Sequence, residues 1–75
     1  MADGTVHTVR SGGGWTNTVE GDENATHALF HTKELAVEAG RGEARRRQAE
    51  HVVHNEDGSI AERNSYGNDP PGRPG

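Results

Sequence analysis

Residues Glu50 to Pro70 read E-H-V-V-H-N-E-D-G-S-I-A-E-R-N-S-Y-G-N-D-P and carry the clearest turn signal in the chain. Two runs containing β-branched residues flank Asn55-Glu56-Asp57-Gly58, which has the preferences of a type I turn with Gly in the left-handed bulge position. The stretch is therefore expected to form a β-hairpin whose turn sets the register. That register places His54 opposite Ile60 and Val52 opposite Glu62 on one face, with Val53 and Ala61, then His51 and Arg63, on the other. Ile60 is the one large apolar residue of its strand, so its face is expected to lie under a helix. Val53, Ala61, His51 and Arg63 then form an open face that a second copy or another protein covers. A slip by one residue exchanges Val52 and Val53.

Upstream, Thr5 to Arg10 (T-V-H-T-V-R) and Trp15 to Glu20 (W-T-N-T-V-E) are rich in β-branched residues and read as paired strands, with Trp15, Asn17 and Val19 on one face. Ser11 to Gly14 supplies the flexible connection. Gly21 to Asn24 reads as a polar turn, and A-T-H-A-L-F-H offers a third short strand with Ala28 and Phe30 on one face. Thr32 is an N-cap for a single helix, in which Ala36, Val37, Gly40 and Ala44 recur at helical spacing. Gly40 and Gly42 each cost roughly 1 kcal/mol relative to Ala, so this helix depends on packing. Its small residues suit close approach to a sheet. Glu43 with Arg47 forms an i,i+4 pair, and Arg41, Arg45 and Arg46 are expected to point outward. The expected architecture is α+β, a small antiparallel sheet with one helix on one face, in the order β-β-(β)-α-β-β. The domain spans residues 1–66, and the Pro- and Gly-rich residues 67–75 are expected to form a flexible tail.

Composition bounds what such a domain can do. Six Val, two Leu, one Ile and one Phe make up about 13% of the chain, below the roughly 20% at which disorder becomes a concern. A 75-residue domain has a thin core. Without Cys it has neither disulfides nor thiolate metal sites, and small domains lacking such staples often self-associate. The start M-A-D-G-T lacks the features of a signal peptide, and no window is long and apolar enough to span a membrane, so a soluble cytoplasmic protein is expected. A net charge of -4 argues against general attraction to nucleic acid.

Candidate chemistry is sparse. His51 and His54 point to opposite faces of a strand, and His27 with His31 lacks a third ligand, so no metal site is expected. His54, beside Ile60, is the histidine expected to be partly buried and hydrogen-bonded. Gly12 to Gly14 lacks the Lys and helix N-terminus of a phosphate loop, and no Ser, His and acidic residue share a catalytic spacing. No enzyme activity and no cofactor are expected. Arg45, Arg46 and Arg47, with Arg41 one turn earlier, form the basic cluster of an alternative reading as a nucleic-acid-binding protein. Trp15 reads as a core anchor, and Asn24-Ala25-Thr26 matches a glycosylation sequon that has no force without a secretory signal.

The chain resembles a family of short, functionally uncharacterised bacterial proteins, common in actinobacteria and catalogued as a domain of unknown function. The resemblance runs from about Val6 to Pro70. It rests on V-H-T-V followed by G-G-G-W, the helix opening T-K-E-L-A-V-E-A, the strand V-V-H, the turn D-G and the ending R-N-S-Y-G-N-D-P. Where members of the family usually read H-V-V-P, this chain has His7-Thr8-Val9-Arg10, and where they carry Ala and Leu it has Gly40 and Glu43. The resemblance implies a compact α+β domain and brings no activity, cofactor or catalytic residue. The expected function is that of a non-enzymatic protein-binding or self-associating module, a homodimer.

Overall fold

The β-branched runs at the N-terminal end pair as their composition predicts. In a computed structural model that describes residues 4–22 and 28–67, β1 (Val6–Ser11) and β2 (Gly14–Val19) form an antiparallel hairpin, with Val6 opposite Val19 and Thr8 opposite Asn17. The third strand is short: β3 (Leu29–Phe30) pairs with β2 through Trp15 with Phe30 and Thr16 with Leu29. The sequon and His27 lie outside the described residues.

Helix α1 (Lys33–Arg47), the one helix among the described residues, begins where the Thr32 side chain accepts a hydrogen bond from the Leu35 amide. It ends at Gln48, whose left-handed backbone turns its amide back onto the carbonyls of Ala44 and Arg45. Ala36, Gly40 and Ala44 form its buried stripe, as their spacing predicts. Strands β4 (Glu50–His54) and β5 (Ile60–Ser65) complete a five-stranded sheet in the order β3-β2-β1-β4-β5. The sheet is mixed. Because α1 carries the chain back to the end where β1 starts, β4 enters parallel to β1, aligning Val6 with His51, His7 with Val52 and Thr8 with Val53. This three-residue seam joins two antiparallel halves.

The β4–β5 hairpin corrects the expected register. His54 does face Ile60, and Gly58 takes the positive φ of +94° that the turn demands. A bulge then places one extra residue in β5, so that Val53 faces Glu62, Val52 faces Arg63 and His51 faces Asn64. One inserted residue exchanges the faces of everything beyond it. The bulge moves Glu62 to the face of Val53 and Arg63 to that of Val52, while His51 and Val53, aligned with Val6 and Thr8, lie under α1, only 1% and 2% exposed. Ile60 is 52% exposed and, paired with His54, belongs to the face opposite α1. The open face expected for Val53 and His51 is thus their buried one.

The core beneath the C-terminal half of α1 is Val6, Val19 and Ala44, closed by Tyr66. The Tyr66 amide donates to the Ala49 carbonyl at 3.1 Å. A Cβ on Gly67 would lie 2.6 Å from the Gln48 carbonyl oxygen, so the chain docks here through a residue that only Gly can be. The S-Y-G motif thus closes the domain, and residues 68–75, the rest of the expected tail, lie outside the described residues. At the other end of α1, Trp15 is buried, with the Arg10 guanidinium and Lys33 ammonium 5.7 and 5.4 Å from its ring centre.

Candidate functional site

Polar side chains line both faces of the β1–β4 seam. On the helix side, strand alternation brings Thr8, Asn17 and His51 together beneath Gly40. The Asn17 amide nitrogen donates to the Ala36 carbonyl at 3.0 Å, which leaves its Oδ1 to accept from the Thr8 hydroxyl at 2.5 Å. Thr8 has then used its only proton, so at 2.7 Å it accepts from His51 Nε2–H. His51 is a neutral donor. Burial, reinforced by the positive charge of Arg41, holds its pKa below the ordinary histidine value. The cluster is paired throughout: among the described residues no buried side-chain polar atom lacks a partner.

On the other side no helix among the described residues covers the sheet, although Val52 and Thr16 there are buried. Leu29, Thr16 and Val9 are aligned on one half of it and His54 with Ile60 on the other, beyond the paired part of the seam, and the outer residues Leu29 and Ile60 are 65% and 52% exposed. A row across the seam holds Thr18, His7, Val52 and Arg63. His7 and His54 touch diagonally across the seam, with His7 Nδ1 at 3.0 Å from His54 Nε2. The outer nitrogen of His7 meets Glu20 Oε2 at 2.5 Å, and that of His54 meets the Gly58 carbonyl at 3.0 Å.

Beside α1, which packs mainly over β1 and β2, a groove of about 450 Å³ runs toward β5. Val37, Val53 and Ala61 form its apolar floor, and its rim carries both signs of charge, Lys33 and Arg41 against Glu34, Glu38 and Glu62. Of the four residues expected to form the association face, the fold separates Val53, which touches this groove from beneath α1, and His51, in the polar cluster, from exposed Arg63 on the open face. Ala61 is the bulge residue and is exposed.

The basic cluster is also divided. Glu43 pairs with both Arg46 and Arg47, and Arg47 reaches Asp22 at 3.0 Å. These contacts push the Arg47 pKa up, and its guanidinium chiefly draws the Glu43 carboxyl below its ordinary value. Arg41 and Arg45 are exposed, with no ion pair to a described residue. Among the described residues no three His, Cys, Asp or Glu side chains converge as metal ligands, and no helix is long and apolar enough to cross a membrane.

Sequence reasoning missed the His7–His54 pair because it depends on the parallel seam, a pairing between strands more than 40 residues apart. The buried cluster did leave a signal: Asn17 sits between Trp15 and Val19 on an inward-facing stripe, where an amide needs partners. No curated protein and no solved structure matches the chain. The motifs that build the seam and its surroundings fall within residues 6–66, which match the model of DUF2188, an uncharacterized protein family conserved in bacteria, and the chain belongs to that family.

Proposed function

We propose that the domain acts by association and not by catalysis, as a cytoplasmic module that pairs with a second copy through the sheet face opposite α1. The carrying observation is that Leu29, Thr16 and Val9 on one half of this face and His54 with Ile60 on the other lie under no described helix and end in two large exposed apolar side chains, Leu29 and Ile60. Stacked sheets sit about 10 Å apart, close enough for two such faces to interdigitate. A two-fold axis would bring Leu29 of one copy toward apolar side chains of the other. The thin core adds a motive, because a small domain without disulfides gains stability from a partner.

Light scattering at rising concentration tests this. The parent protein should approach twice the mass of one chain, whereas Leu29→Glu and Ile60→Glu should raise the dissociation constant at least about tenfold. Both positions are outside the core, so the circular dichroism of the variants should be unchanged. A well-folded parent protein that keeps the mass of one chain at high concentration contradicts the proposal. Nucleic-acid binding through Arg41, Arg45, Arg46 and Arg47 has weaker support, since Arg46 and Arg47 are engaged by acidic partners. Duplex binding at low salt that disappears on replacing Arg41 and Arg45 with Gln would favour it instead.

A further inference from the structure

The string Glu20–His7–His54–Gly58 contains three close polar contacts, and each requires one proton between its two heavy atoms. The Gly58 carbonyl supplies none, so the three must come from Glu20, His7 and His54 together. An ionised Glu20 and two neutral imidazoles hold only two, which would leave lone pairs facing each other either between His7 Nδ1 and His54 Nε2 at 3.0 Å or between His7 Nε2 and Glu20 Oε2 at 2.5 Å, depending on the His7 tautomer. The ring centres are 5.2 Å apart, so the two facing nitrogens lie along the line between them, as in an N–H···N bridge. A metal ion on that line would need a longer separation than 3.0 Å. From this proton count we infer that His7 and His54 share one extra proton, balanced by Glu20, and act as a proton-dependent latch across the β1–β4 seam.

The latch lies where the fold is narrowest, since the two halves of the sheet pair through only Val6 to Thr8 and His51 to Val53. Thr8 and His51 fasten that seam under α1, and His7 and His54 fasten it on the open side. Imidazole is a stronger base than carboxylate, so the third proton resides on the rings. Among the described residues the other ionisable groups on this face are Glu50 of β4 and Arg63 of β5; Glu56 in the turn is held by Arg10, and Asp57 by Ser59. The bridging proton is what closes the His7–His54 contact, so its loss at rising pH opens the latch.

Nitrogen-15 shifts of the histidine rings in the parent protein at pH 7 count these protons directly. Three protonated ring nitrogens among the four of His7 and His54 are expected; two, with the ring contact intact, overturn the inference. The folding constant of the parent relative to His54→Gln should also fall as pH rises above 7, by at most about tenfold per pH unit. A ratio that stays flat from pH 6 to 9 likewise overturns it.

Discussion

Replacing Gly40 with Ala is expected to cost the domain about 3 kcal/mol or more, enough to unfold much of a protein this small. A Cβ at this position would lie 2.5 Å from Asn17 Oδ1, 2.6 Å from His51 Nε2 and 2.8 Å from Thr8 Oγ1. All three belong to the buried hydrogen-bonded cluster, and none can retreat without losing a partner or lifting α1 off the sheet. The gain in helix propensity, roughly 1 kcal/mol, is smaller than that loss. Gly42 provides the contrast, because a Cβ there meets nothing within 4 Å. Gly42→Ala should therefore stabilise by up to about 1 kcal/mol. Urea unfolding of both variants measures the two signs, and equal effects would show that helix propensity alone governs these sites.

Acid should destabilise the domain from about pH 6.5 downward, through His51. Its folded pKa is lowered, chiefly by burial. An unfolded chain therefore takes up a proton that the native state refuses, and stability present in full above the unfolded value is lost as pH falls. One such group contributes a slope of at most about 1.4 kcal/mol per pH unit. His51→Gln keeps an N–H donor for Thr8 but does not titrate, so its unfolding midpoint should vary less between pH 7 and 5 than that of the parent. An unchanged acid slope would place the sensitivity elsewhere. Thr8→Val is expected to cost about 2 kcal/mol at neutral pH, because it strands both Asn17 Oδ1 and the His51 donor. Calorimetry reads that change.

Local signals in the sequence reached the elements but not their faces. Thr32, the Ala36–Gly40–Ala44 stripe and Asp57-Gly58 are short-range features, and the helix cap, its buried side and the turn follow them. The bulge at Ala61 has no residue signature, because Ala fits a bulge no better than a regular strand. Missing it misplaced Glu62, Arg63 and Asn64, whereas α1 was put over the wrong face because Ile60, the large apolar residue of its strand, lies exposed on the side opposite α1. The parallel seam was hidden for another reason: it depends on where the helix returns the chain, which no residue of β1 or β4 encodes. With the faces exchanged, the case for self-association moved from Val53 and Ala61 to Leu29, Val9 and Ile60. The ending R-N-S-Y-G-N-D-P gained a role through Tyr66 and Gly67, which close the core against Val6, Val19 and Gln48.

Pairing of two copies through the face opposite α1 can be observed directly as contacts between them. In a mixture of isotope-labelled and unlabelled protein, intermolecular NOEs are expected from the methyl groups of Leu29, Val9 and Ile60 and not from those of Leu35, which lies exposed on α1. Intermolecular signals confined to α1, or none from a folded protein at millimolar concentration, would contradict it.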